Sequence, residues 1–163
     1  MAGTARELSI ELLADHAAVI DDLVQWYEGE WEPYYGQQGP GDARADLESR
    51  CNRGRLPVGF VAVDNDRILG TAALDNDAAT GKTPSVVGLL VAPDHRRRGI
   101  ASALLEFAEH LGRDLGYDEL FMSTTILGEL VQRRGWQEQG AVEFFNVERG
   151  KLYVCPLPMS RSP

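Results

Sequence analysis

Residues 86–125 read as a buried strand, a basic turn, an amphipathic helix and a second strand, and few folds accept that order. Val86 to Val91 is a continuous apolar run, as expected of a strand covered on both faces. Pro93 breaks it. Past Gly99, the residues Ile100, Leu104, Phe107, Ala108, Leu111 and Leu115 recur at helical spacing, and Gly116 suits the position after the last turn. Glu119 to Thr125 then reads as a strand again. A strand, a helix and a strand joined this way form one parallel crossover, with the helix packed across the sheet.

The rest of the chain does not repeat that unit. Asp15 is placed to cap a first helix carrying Val19, Ile20, Leu23, Val24 and Tyr27. Residues 30–41 hold Pro33, Pro40 and three glycines, which predicts a loop without regular helix, rich in aromatics and carboxylates. Asp42 is placed to cap a short helix over 43–50. Val58 to Val63 and Ile68 to Leu74 read as a hairpin about Asp64-Asn65-Asp66, followed by a polar loop over 75–84. A short helix over 128–134 ends at Gly135, and 136–143 with 151–157 suggest a final antiparallel pair. The prediction is one α/β (α+β) domain over residues 1–157. Its sheet is mixed and mostly antiparallel, with one parallel crossover, and residues 158–163 form a disordered tail.

Composition narrows the function. The net charge is -9, which argues against general nucleic-acid binding. It suits a cationic substrate, or simply keeps the protein soluble. No apolar run is long enough to span a membrane, and the start of the chain lacks a secretory pattern. The reading is therefore cytoplasmic, with Cys51 and Cys155 as free thiols and no metal-ligand spacing. Oligomeric state is left open between monomer and homodimer.

Against that acidic background, Arg96-Arg97-Arg98-Gly99 directly precedes a helix. A helix N-terminus is electropositive and ordinarily recruits carboxylates. Three arginines there call for an anion, and the free N–H groups of a first turn suit phosphate. Gly99 and Ala101 let the backbone approach it closely. The segment lacks the Gly-x-x-x-x-Gly-Lys-Ser/Thr pattern of nucleotide P-loops.

The run from Leu89 through Arg96-x-x-Gly99-x-Ala101 to Leu105 resembles the GNAT superfamily of acyl-CoA-dependent N-acetyltransferases. Leu130-Val131-Gln132-Arg133-Arg134-Gly135-Trp136 resembles the family's late short helix, and the element order fits from about Val58 onward. The resemblance implies a GNAT-like fold in which the strand holding Leu89, Leu90 and Val91 splays from its parallel neighbour. Those three residues would hold the pantetheine arm and thioester carbonyl of acetyl-CoA. Arg96, Arg97, Arg98, Gly99, Ile100, Ala101 and Ser102 would hold its pyrophosphate. The implied reaction is direct attack of a primary amine on acetyl-CoA. A backbone N–H near Leu90 or Val91 would serve the oxyanion.

The sequence departs from the family where proton transfer is concerned. Val131 stands where many members carry a tyrosine, and no carboxylate lies between Ser85 and Val91. The candidate catalytic residues are then Ser123 and Asp75, with Asp77 beside them. His95, His16 and His110 read as flanking or surface residues. Trp31, Glu32, Tyr34 and Tyr35 are the candidate acceptor wall, suited to an ammonium by charge and cation–π contact, or else packed on the core. The acceptor reads as a small cationic amine, a peptide N-terminus or a lysine. The competing reading is an acyl-CoA-binding module without catalysis.

Overall fold

The computed structural model describes residues 8–144 and 148–158; of the proposed tail, 158–163, all but the first residue lies outside them. Seven strands form one sheet in the order β1-β2-β3-β4-β5-β7-β6. They are β1 Leu8–Leu12, β2 Val58–Asp64, β3 Arg67–Asp75, β4 Ser85–Val91, β5 Glu119–Thr124, β6 Gln137–Glu143 and β7 Arg149–Pro156. The helices are α1 Ile20–Glu30, α2 Glu32–Tyr35, α3 Ala43–Ser49, α4 Ile100–Asp114 and α5 Gly128–Arg133. Every paired neighbour is antiparallel except β4 and β5, which α4 connects. The mixed sheet with a single crossover is thus the observed architecture.

Side-chain alternation splits the sheet into two faces. Phe60 and Ala62 of β2 pack with Ile100, Leu104, Leu105 and Ala108 of α4. Val61 and Val63, between them, pack with Ile20, Leu23 and Tyr27 of α1 and with Ala43 and Leu47 of α3. Leu104 and Leu23 are both fully buried. Truncating either to alanine removes roughly 2–5 kcal/mol from a core of this kind. At α3 the expected cap is present: the Asp42 carboxylate accepts from the Ala45 N–H at 3.0 Å. The hairpin turn places Asn65 and Asp66 at φ 48° and 71°, the left-handed pair that a two-residue hairpin loop requires.

Four expectations change. The sequence reading has no element before Asp15, whereas β1 occupies 8–12 as an edge strand on β2. Asp15 caps no helix. It lies within a 3-10 segment, Leu13–Val19, and its carboxylate accepts from Arg53, while α1 begins only at Ile20. The loop after α1 contains one helical turn, α2, which tolerates Pro33 because a first-turn N–H needs no helical partner. Finally, β4 is not covered throughout: Val87, Gly88 and Leu89 are only half-buried, at the place where the strand leaves its parallel neighbour.

One polar clamp fixes the far end of the crossover. Glu109 of α4 accepts two bonds from Arg134, both 2.9 Å, and a third from the Trp136 indole N–H at 3.0 Å. It thereby ties α4 to the end of α5 and the start of β6. Cys51 and Cys155 are free, and burial pushes the Cys155 thiol up to about 11. Glu109→Ala leaves a mostly buried guanidinium without its counter-ion. It should cost about 2 kcal/mol, less than breaking a fully buried pair, and lower Tm by roughly 4–8 °C. An unchanged thermal unfolding curve would show that the clamp contributes nothing.

Candidate active site

The two parallel strands touch at one point. Ser85 and Phe121 are their only register pair among the described residues, and the Phe121 N–H donates to the Pro84 carbonyl at 3.0 Å. Beyond it β4 and β5 diverge, so a cleft opens toward their C-terminal ends. β4 also carries a bulge. Leu90 pairs with Thr71 and Val87 with Ala73, so Gly88 and Leu89 together stand opposite Ala72 alone. A bulge leaves its extra residue outside the ladder and re-aims the local backbone. The sequence reading placed the oxyanion donor near Leu90 or Val91. Both positions are back in register with β3, and the irregular backbone lies at Gly88 and Leu89.

At the end of β4 the chain turns through Pro93–His95 into the arginine segment. Arg97 and Gly99 both adopt left-handed backbone, φ 64° and 79°. Such residues gather N–H groups into a concave surface that holds anions. Gly99 is the residue before α4, whose first turn has neither a side-chain cap nor an acidic residue. The first helical bond runs from the Ala103 N–H to the Gly99 carbonyl, so the N–H groups of Ile100, Ala101 and Ser102 have no partner within the helix. This cradle fits a pyrophosphate.

The three arginines have different surroundings. Arg96 donates from Nε to the Val91 carbonyl at 3.0 Å, and its Nη2 lies 3.6 Å from Glu30, so it holds the turn to the ends of β4 and α1. Arg97 and Arg98 are exposed beside the helix start. His95 lies 3.0 Å from Arg67 through Nε2, and its buried Nδ1 has no hydrogen-bond partner. His16 pairs with Glu11, while His110 neighbours Arg113 and Glu106 on the helix surface.

On the opposite face lies a polar group that the spacing of residues did not reveal. Arg50, at the end of α3 and 6% exposed, donates from Nε to Asp75 Oδ2 and from Nη1 to the Tyr27 hydroxyl, each at 3.2 Å. Tyr27 donates in turn to the Gly88 carbonyl at 3.3 Å. Burial pushes the Tyr27 hydroxyl up, with Arg50 opposing. Asp75 therefore serves as the counter-ion of Arg50. Its other oxygen accepts the Asn76 N–H.

Ser123 donates instead to Asp77 Oδ2, at 3.0 Å. Asp77 also receives the Thr80 hydroxyl at 3.1 Å and the Ala79 N–H at 2.9 Å. Leu120 and Met122 face α4, so Phe121 and Ser123, alternating with them, face the side of α1 and α3.

The aromatic loop lies partly against the core. Trp31 stands edge-on to Tyr27 with centroids 5.1 Å apart, and the Tyr35 hydroxyl donates to Asp46 at 2.7 Å. Both rings therefore pack on the core. Tyr34 stacks edge-on against Tyr35, and Glu32 is exposed. Glu32 joins Glu28, Pro33 and 36–39 around an open cavity of about 610 Å³. Val131 is fully buried and offers no hydroxyl. Among the described residues, no group of three metal-ligating side chains occurs.

The chain matches the Acetyltransferase (GNAT) family over residues 20–140. It belongs to that family. No curated protein matches it by sequence. Solved structures share the fold. An aminoglycoside 6'-N-acetyltransferase complexed with coenzyme A is 15% identical, with TM-score 0.72 over 95% of this chain and 99% of that one. The aminoglycoside 6'-N-acetyltransferase from Enterococcus faecium is 14% identical, with TM-score 0.72 and the same coverage. An N-acetylglutamate synthase from Neisseria gonorrhoeae, complexed with coenzyme A and N-acetyl-glutamate, is 20% identical with TM-score 0.68, over 95% of this chain and 36% of that one.

In this GNAT acetyltransferase, the left-handed residues Arg97 and Gly99 and the uncapped start of α4 lie in the segment that the sequence pattern singled out. The cradle depends on left-handed backbone at Gly99, where a β-branched side chain is strained. Gly99→Val should weaken coenzyme A binding at least ~10-fold by calorimetry, while the far-ultraviolet spectrum stays that of the parent. Parental affinity in this variant would place the anion site elsewhere.

Proposed function

We propose that this chain transfers the acetyl group of acetyl-CoA to a primary amine of a small cationic molecule. The observation that carries the reading is the cleft between β4 and β5, with the 97–102 cradle at its α4 side and a carboxylate at its other side. Acetyl-CoA supplies the acyl group on an activated thioester. Arg97, Arg98 and the N–H groups of 99–102 hold its phosphates, and the edges of β4 hold its arm. The amine enters from the face of α1 and α3.

An alkylammonium has a reference pKa of about 10.4, so it must lose a proton before it attacks. Asp77 is the carboxylate best placed to receive it. Oδ2 takes two hydroxyl donors, whereas Oδ1 takes only the Ala79 N–H and keeps a lone pair open. Ser123 orients that carboxylate from β5. Asp75 is engaged by Arg50, so the base role suggested for it passes to Asp77. Glu28 and Glu32 line the cavity at the end of α1 and suit further positive charge on the acceptor. Aminoglycosides, the substrates named for two of the structural neighbours, have this chemistry. The thiolate leaving group has a reference pKa near 8.5 and leaves without an obligatory acid, which accommodates Val131.

Thiol release from acetyl-CoA, measured against polyamines, aminoglycosides, amino-acid derivatives and peptide amines, tests the reading. Small molecules with two or more cationic amines should give the highest kcat/KM. Tight coenzyme A binding with no thiol release for any amine would favour the non-catalytic module. Asp77→Asn should lower kcat/KM for the amine about 10- to 100-fold, leaving KM for acetyl-CoA unchanged. A fully active Asp77→Asn enzyme would remove Asp77 from the acceptor site.

A further inference from the structure

Gly88 is pressed against Tyr27. A Cβ at position 88 would stand 2.2 Å from the Tyr27 hydroxyl oxygen and 3.0 Å from its Cζ, and the residue sits at φ 61°. Only glycine fits that backbone in that space. The bulge is therefore built around the tyrosine.

The direction of the hydrogen bonds follows from the donor inventory. A guanidinium has donors and no acceptor, so the Tyr27 hydroxyl must accept from Arg50 Nη1. Its one proton is then committed to the Gly88 carbonyl. Asp75 holds the other edge of the guanidinium through Nε. Tyr27 is 1% exposed and Arg50 6%, so these bonds act in a low-dielectric setting where they hold geometry firmly.

The Gly88 carbonyl and the Leu89 N–H belong to one planar trans peptide and point in opposite directions. Tyr27 draws the carbonyl toward the α1 face. The Leu89 N–H is thereby turned away from Tyr27, toward the side where Leu89 packs against the α4 core.

We propose that Tyr27, locked by Arg50 and Asp75, is a positioning residue that aims the Leu89 N–H at the acyl oxygen of the bound thioester. This rests on the acetyl-transfer reading above. As the amine attacks, negative charge grows on that oxygen, and a fixed donor is worth most at that moment. The Asp75–Arg50–Tyr27 chain touches no reacting atom. It acts through the peptide it orients.

Tyr27→Phe keeps the ring and its packing and removes only the hydroxyl. The expected result is a fall in kcat of about 10- to 100-fold, with KM for acetyl-CoA and Kd for coenzyme A within twofold of the parent. Unchanged kcat overturns the proposal. So does an equal loss of kcat and coenzyme A affinity, which is what a purely structural role predicts. The amide resonance of Leu89 gives a second readout that needs no turnover. In the parent protein, acetyl-CoA should move it downfield and free coenzyme A should not, and Tyr27→Phe should abolish the difference. No acetyl-dependent shift in the parent overturns the proposal even if Tyr27→Phe fails to fold. A shift without turnover of any amine would instead overturn the acetyl-transfer reading and leave the positioning of Leu89 standing.

Discussion

The backbone groups that β4 and β5 do not give each other are the constraint on which this molecule depends. Parallel neighbours in the middle of a sheet normally pair along their length. Here they meet at Ser85 and Phe121 and then part. Buried N–H and carbonyl groups need partners, so a divergence of this kind persists only if the groups facing it are satisfied by something other than a strand. On one side, α4 crosses to β5, and the clamp at Glu109 ties α4 to the end of α5 and the start of β6. On the other side, Tyr27 and Arg50 hold β4. The cleft is kept open by packing on both flanks, and a ligand with its own polar backbone is the natural occupant.

This arrangement separates the two halves of the chemistry. The face under α4 carries the cradle made by left-handed residues and a helix start without acidic side chains. The face under α1 and α3 carries Asp75, Asp77 and Ser123. In the proposed reaction, a polyanionic donor and a cationic acceptor would approach from opposite sides of one sheet. The net charge of -9 opposes the first ligand at long range, which explains why the arginines are concentrated at the cradle. Their division of labour matters too. Arg96 is tied to Val91 and Glu30, so most of the unspent positive charge there sits on Arg97 and Arg98.

Sequence alone made the crossover legible, because an apolar run, a proline, a glycine and a 3.6-residue period are all local signals. Asp42 was legible as a cap for the same reason. What stayed hidden was non-local. β1 has the alternation of a strand, with Leu8, Ile10 and Leu12 against Ser9 and Glu11, but five residues carry that signal weakly and only β2 gives it a partner. Asp15 had the right residue type for a cap and found Arg53 instead, 38 positions away. Tyr27 read as one more apolar residue on a helical stripe. Its function depends on a hydroxyl that meets Gly88, 61 residues later, and no periodicity records that meeting. Arg50 closes a short helix where a cation is ordinary, so nothing marked it as buried.

The same comparison explains why the two aspartates exchange importance. In sequence, Asp75 and Asp77 are near-identical loop carboxylates that follow a strand. Asp75 still belongs to β3, and its place in the register brings it beside Ser85 and within reach of Arg50. Two residues later the chain has left the sheet, and the turn closed by the Gly81 N–H on the Asp77 carbonyl swings that side chain over to β5. A carboxylate that bridges to the far wall of the cleft spans the opening, whereas one that neutralises a buried guanidinium stiffens its base. Charge type could not separate these roles. The position at which a strand ends could.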